Sequence, residues 1–272
     1  MKIIQATGGT CNQLWIYLNL FSDALESRRG FAIWVPDIQF INFPNLLNFE
    51  FIYYPLINKR VFQIIGPAKY IKIIDFIFNN KYSLHFFKQI FSLQSSHEFI
   101  VVDVSNMKKC PSLKKNFQTV FKLFDFSESL KKSNSNKIYK TSDQIFVGLH
   151  MRLGDYKYYN NGQYFYSVEY YLQLAHHIVK LFKAYKVKFI IVSDEKIDFT
   201  KFDSFDYIIS ESKKMHDDLY LLSKSDFIVG PPSTFSAWAS LYKNSKIYFI
   251  SNMNVEFKVI DFFDIKDIWI MS

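Results

Sequence analysis

Apolar and polar positions alternate in blocks along the second half of this chain. Ile145-Phe146-Val147-Gly148-Leu149 is a short, nearly continuous apolar run, the pattern of a strand covered on both faces. Val168, Tyr171, Leu172, Ala175, Val179 and Phe182 recur at helical spacing and predict a helix over 167–183. Apolar runs at 188–192, 207–209, 227–229 and 247–250 predict further strands, with helices expected over 216–224 and 235–243. Strands and helices taken in turn are the pattern of a doubly wound parallel sheet.

The first half opens in the same style. Lys2 to Ala6 reads as a strand, and Thr7-Gly8-Gly9-Thr10-Cys11 as a turn. Asn12 is the candidate helix cap, and Leu14, Tyr17, Leu18, Phe21 and Leu25 form an apolar stripe. Gly30 suits the C′ position, and Phe31 to Val35 reads as a strand stopped by Pro36. This strand–Gly loop–helix–strand order opens a Rossmann-like half. From 37 to 126 the pattern is weaker. Pro44, Pro55, Pro67 and Pro111 punctuate aromatic segments, short helices are expected within 71–93, and Phe99 to Val102 reads as a buried strand. Residues 127–143 are rich in Ser, Lys and Asn, the composition of a linker. The expected domains are therefore 1–135 and 136–272.

Each strand of the second half ends in hydroxyl, carboxylate or Gly residues. His150, Arg152 and Asp155 follow the first, Ser193-Asp194 the second, Ser210-Glu211 the third, Gly230-Pro231-Pro232-Ser233-Thr234 the fourth and Ser251-Asn252 the last. In an open α/β sheet these ends share one edge, where ligands bind. Ser233 and Thr234 open a helix, whose free N–H groups and dipole suit a phosphate. Arg152 can grip the same diphosphate with a bidentate fork, and a carboxylate such as Asp194 can accept from the N–H groups of a guanine edge. The expectation is a nucleotide-diphosphate pocket. No Walker lysine motif and no full dinucleotide fingerprint occurs, which weighs against kinases and dehydrogenases.

Composition narrows the setting. The chain has 272 residues, 49% hydrophobic, and a formal charge of +8 that favours anionic partners. Its lysines are spread in pairs such as Lys114-Lys115 and Lys131-Lys132 rather than gathered with exposed aromatics, so no nucleic-acid partner is expected. Most of these lysines read as a solvated surface, and the weaker, sharper reading of the charge is loose attraction to a bilayer. The two cysteines, Cys11 and Cys110, fit a reducing compartment, and no Cys, His and carboxylate cluster has metal-site spacing. No signal peptide or membrane-length apolar run is visible, so the expected location is cytoplasmic, or peripheral at the membrane.

Three motifs carry a family resemblance. His150-Met151-Arg152-Leu153-Gly154-Asp155-Tyr156 resembles the H-x-R-R-G-D-Y motif of α-1,2-fucosyltransferases, glycosyltransferase family 11. Gly8-Gly9-Thr10-Cys11-Asn12-Gln13-Leu14 resembles that family's G-G-L-G-N-Q-M/L. Asp218-Leu219-Tyr220-Leu221-Leu222-Ser223, followed by Ser233-Thr234-Phe235-Ser236-Ala237-Trp238-Ala239, resembles its D-L-x-L-M-S and S-T-F-S-W-W-A. Leu153 replaces the second Arg, Thr10 and Cys11 replace Leu and Gly, Pro232 stands where Asn is usual, and Ala237 replaces the first Trp.

The resemblance implies a GT-B-like α/β fold, with two Rossmann-like domains facing a cleft. It implies inverting, metal-independent transfer of fucose from GDP-fucose to a galactoside hydroxyl of a glycan or lipid-linked oligosaccharide, with no cofactor. Arg152 would be the diphosphate ligand, His150 and Asp155 would shape the nucleotide pocket, and Ser233, Thr234 and Phe235 would line the phosphate seat. The loop carrying Gly8, Gly9, Asn12 and Gln13 would face the cleft from the acceptor side. Asp155 is the candidate general base. The alternatives are a transferase of the same fold using another nucleotide sugar, and a non-catalytic nucleic-acid or sugar-binding protein.

Overall fold

The computed structural model describes residues 2–33, 42–53, 69, 98–105, 107, 110–210, 212 and 214–270. They divide into two compact units, Met1–Ser127 and Glu128–Ser272, ahead of the 135/136 boundary expected from composition. The helices expected within 71–93 lie outside the described residues.

In the first unit, β1 (Lys2–Ala6), β2 (Phe31–Ile33), β3 (Ile52–Tyr53) and β4 (Glu98–Val102) form a parallel sheet in the order β3-β2-β1-β4. Helix α1 (Thr10–Ser27) buries Leu14, Tyr17, Leu18 and Phe21, as its stripe predicts, and also Trp15 and Ile16. It is covered on a second side by α2 (Leu113–Phe121), whose Asn116 amide donates to the Ser22 carbonyl at 3.1 Å. Phe21 stacks on Phe49 with ring centroids 5.0 Å apart.

Both ends of α1 differ from expectation. It starts at Thr10 with Gly9 at the N-cap, which places Asn12 inside the first turn. At the other end Arg28, not Gly30, takes the left-handed conformation, at φ 52°. Gly30 is needed for another reason: a Cβ there would sit 3.0 Å from the Phe51 carbonyl oxygen, against the segment that enters β3.

The second unit follows its predicted order closely. Its strands are β5 (Gln144–Met151), β6 (Lys186–Ser193), β7 (Asp206–Ile209), β8 (Phe227–Gly230) and β9 (Lys246–Phe249). They pair in parallel in the order β7-β6-β5-β8-β9. The chain runs outward from β5 to β7, then returns to start β8 on the other side of β5. The carboxyl ends of β5 and β8 therefore flank the topological switch point, where such sheets bind ligands.

The helices of this unit are α3 (Glu128–Asn134), α4 (Val168–Leu181), α5 (Met215–Leu222), α6 (Thr234–Lys243) and α7 (Ile265–Trp269). Two readings need correction. The stretch 127–143, expected as a linker, begins with α3, whose Asn134 is buried and donates to Asp217 at 2.6 Å. Burial of Leu130 and Asn134, with Asn134 bonded to Asp217, orders a polar helix that composition alone leaves unassigned. On α4 the buried face is Tyr170, Tyr171, Leu174, Ala175 and Ile178, and the expected Val179 is 41% exposed. Tyr171, Ala175 and Phe182 of the expected stripe are buried and Val168 and Leu172 pack against the core, so the stripe fails at Val179.

Candidate active site

The site starts where β5 runs out. His150 is buried, and its Nδ1 lies 2.6 Å from the Ser236 hydroxyl on α6, with its ring centroid 5.0 Å from that of Phe235. Its carbonyl accepts from the Tyr171 hydroxyl at 3.2 Å. A Cβ on Gly230 would come within 2.7 Å of that carbonyl oxygen, so β8 can run this close only with glycine there. Burial, with Arg152 adding repulsion, pushes the His150 imidazole down to about 3, so the ring is neutral.

Arg152 follows in the loop. Its Nη2 donates to both Asp155 carboxylate oxygens, at 2.6 and 2.7 Å, and its Nη1 lies 3.4 Å from Asp194 Oδ2. The guanidinium carbon sits 5.0 Å from the Tyr156 ring centroid, a cation–π contact. Nε is buried and has no hydrogen-bond partner. Nε is enclosed, so an incoming anion would meet the Nη groups that Asp155 and Asp194 now hold.

Asp194 shapes this loop. Its Oδ1 accepts from the backbone N–H of Leu153 at 2.7 Å and of Gly154 at 3.3 Å. Leu153, at the position of the resemblance's second Arg, is buried within the apolar core of the unit. A charge there would lack water and a partner. The loop therefore presents one guanidinium rather than two.

Ser233 caps α6, its hydroxyl oxygen accepting from Phe235 N–H at 3.1 Å. The Tyr156 hydroxyl donates to the Pro232 carbonyl at 2.7 Å, tying the Arg152 loop to the start of α6. Burial pushes the Tyr156 phenol up, so it remains a neutral donor.

A cavity of about 490 Å³ opens at this edge of the sheet. His150, Arg152, Asp194 and Phe235 line it, together with Ser193, Ser210, Met215 and Asp218. Asp155 and Ser233 are not in the lining but touch residues that are or that adjoin it. Thr234 is the first residue of α6. Gly8, Gly9, Asn12 and Gln13 belong to the first unit, where Gln13 Nε2 donates to the Gly8 carbonyl at 3.0 Å and Gln13 Oε1 is buried without a partner.

Asp218 is the residue to which the sequence assigns no role of its own. It sits in the first turn of α5, where an acidic side chain ordinarily serves the helix dipole, so nothing local sets it apart. In the fold it faces the cavity. Burial drives its carboxyl up to about 7, against the Ser210 hydrogen bond and with help from neighbouring Asp217. Asp217 itself is buried and satisfied, accepting from Asn134 at 2.6 Å and from the Ser212 hydroxyl at 2.5 Å. Among the described residues no group of three or more His, Cys, Asp or Glu is arranged to hold a metal ion, and no helix is long and apolar enough to cross a membrane.

Two parallel α/β units, the second with a cavity over the carboxyl ends of its strands, define the GT-B-like class of fold. The comparisons with solved structures agree. A structure of POFUT1 in complex with GDP-fucose superposes with a TM-score of 0.56 at 12% identity, covering 90% of this chain and 95% of that one. The R284K mutant of Arabidopsis thaliana FUT1 in complex with GDP gives 0.55 at 12%, covering 93% and 71%. The fucosyltransferase NodZ from Bradyrhizobium gives 0.51 at 17%, covering 92% and 95%. The sequence matches no protein-family model and no curated protein.

Proposed function

We propose that this chain transfers a sugar from a GDP-sugar, with GDP-fucose as donor and a glycan hydroxyl as acceptor. The observation that carries the reading is the cavity over the carboxyl ends of β5, β6 and β7, with the Arg152 guanidinium at one side and the Asp218 carboxyl at the other. Arg152 and the N–H groups opening α6 suit a diphosphate. Asp218, when ionised, suits the paired N1–H and N2–H donors of guanine, a pattern that uracil, cytosine and adenine lack. The structure engages Asp194 with loop amides and Arg152, so the base-reading role passes to Asp218. The GDP and GDP-fucose bound to similar folds support the same donor. The α-1,2 linkage and a galactoside acceptor rest on the motif resemblance.

In the reaction the bond between the sugar's anomeric carbon and the diphosphate breaks as the acceptor oxygen attacks from the opposite face. Negative charge accumulates on the departing diphosphate, where Arg152 and the α6 amides stabilise it. Asp155 is given two successive roles. In the empty site it orients Arg152, and once the diphosphate takes over the guanidinium it accepts the hydroxyl proton. His150, neutral and hydrogen-bonded to Ser236, supports the pocket wall. The acceptor side is assigned to the Gly8, Gly9, Asn12 and Gln13 loop.

Nucleotide titration followed by thermal unfolding tests the reading. GDP at about 100 times its Kd should stabilise the protein by ~2.7 kcal/mol, and UDP, ADP and CDP at that concentration by much less. Equal shifts for all four would sink the guanine assignment.

A further inference from the structure

Beyond Arg152 the loop after β5 carries a run of tyrosines, of which the nucleotide site uses only Tyr156. Tyr156 lies under the Arg152 guanidinium at 5.0 Å, Tyr159 stacks on Tyr156 at 5.3 Å, and Tyr164 lies 6.4 Å from Tyr159. The rings thus form a continuous ladder leading from the cavity lining outward. Tyr159 remains 58% exposed although stacked, and neighbouring Tyr158 is 84% exposed. The loop is held by three successive left-handed residues, Asn160 at φ 47°, Asn161 at 57° and Gly162 at 75°, with the Asn160 amide donating to Gln163. Non-glycine residues seldom adopt that conformation, so the turn is specified rather than slack.

We propose that this ladder is a saccharide-binding platform that seats a pyranose ring of the acceptor beside the leaving group. A pyranose has a face of C–H bonds and a rim of hydroxyls. The electron-rich face of a tyrosine attracts the first, and phenol and amide groups at its edge serve the second. A bilayer would be met by basic clusters and hydrocarbon side chains. Within 154–164 the cation is Lys157, whose Nζ already lies over the Phe165 ring at 5.8 Å. The chemistry therefore fits a sugar better than a lipid surface. That a bound sugar is then glycosylated rests on the transferase reading; the binding itself does not.

The test is saturation-transfer NMR with methyl β-galactopyranoside, methyl β-glucopyranoside and lactose, on wild type and on Tyr158→Ala, Tyr159→Ala and Tyr159→Phe, each checked for an unchanged melting profile. At least one sugar should bind wild type, with Kd weakened roughly tenfold or more in Tyr159→Ala and largely retained in Tyr159→Phe. Transfer assays should show the loss in acceptor KM more than in donor KM. Binding of none of the three sugars, or undiminished binding in the Tyr158→Ala/Tyr159→Ala double variant, would overturn the platform. So would phosphatidylglycerol-vesicle binding that disappears in the double variant while sugar binding is absent. GDP titration of the same samples separates the two readings: sugar binding without GDP binding keeps the platform and sinks the transferase.

Discussion

The two ends of the second unit's cavity are built on opposite principles. At one end, charge is fully compensated: Arg152 is paired with Asp155, close to Asp194 and stacked on Tyr156, and Asp194 also accepts from two backbone amides. At the other, Asp218 is desolvated beside a second acid with a single serine to help it. The first end is organised before any ligand arrives. The second is poised, its carboxyl driven close to neutrality, and becomes a good acceptor only when it ionises. A preorganised cation suits the part of a reaction where charge develops. A carboxylate near its titration point suits recognition, because a ligand with two donors supplies the stabilisation that burial has removed.

Substitutions should separate these ends. The largest effect is expected for Arg152→Ala, which should lower kcat/KM by about 10³-fold while leaving the preference for GDP over UDP unchanged, because the diphosphate is common to both. Turnover near wild type, read in a GDP-release assay, would refute the role; a changed base preference would blur the two ends into one.

Asp218→Asn should come next. Loss of the carboxylate should weaken GDP binding about 10- to 100-fold and erase discrimination among nucleotides, measured by calorimetry. The wild type should lose GDP affinity as pH falls below about 7, by about tenfold per unit, because the protonated acid no longer accepts both donors. Folding stability should move the other way. The carboxyl's folded-state value of about 7 lies above its usual 3.8, so the folded state holds a proton that the unfolded chain has lost. The Asp218 contribution to stability therefore declines as pH rises from about 4 to 7, and Asp218→Asn should remove that contribution, seen as the difference between variant and wild type in denaturant titrations. His150, lowered from 6.5 to about 3, contributes the opposite slope, because the unfolded chain binds a proton that the folded state refuses, so its share of the stability rises with pH up to about 6.5.

A smaller effect belongs to Ser233→Ala. Losing the α6 cap should reduce stability by ~1 kcal/mol, with a loss of diphosphate affinity shared equally by GDP and UDP. The smallest is expected for chelation: EDTA should leave transfer unchanged if the guanidinium and the helix end suffice. Activity that returns only with Mn²⁺ or Mg²⁺ would show that the cationic end is incomplete as described.

Much of the second unit was legible beforehand because its signals are local. Apolar runs at 145–149 and 227–229 and the polar breaks after them mark strands whatever surrounds them, and Ser233 before a helical stripe marks a cap. Of the candidate donor-side residues, His150, Arg152, Asp194 and Phe235 line one cavity, while Asp155, Ser233 and Thr234 stand outside its lining. Less legible was how each side chain is used. Asp194 and Asp218 look equivalent in the chain, each an acid near the end or start of an element. Only the fold engages one with the Leu153 and Gly154 amides and leaves the other in a desolvated wall.

The chain itself therefore determined the elements of the second unit, their parallel arrangement and the edge on which the polar strand ends gather, since hydrophobic period and turn chemistry act over a few residues. Tertiary structure decided what distance and solvent control. It buried Leu153, closed α1 with Arg28 rather than Gly30, drew Asn134 onto Asp217 and raised the Asp218 carboxyl. Apart from the exposed Arg28 turn, each of these depends on residues far apart in sequence that exclude water from one another, and no local pattern records which ones will meet.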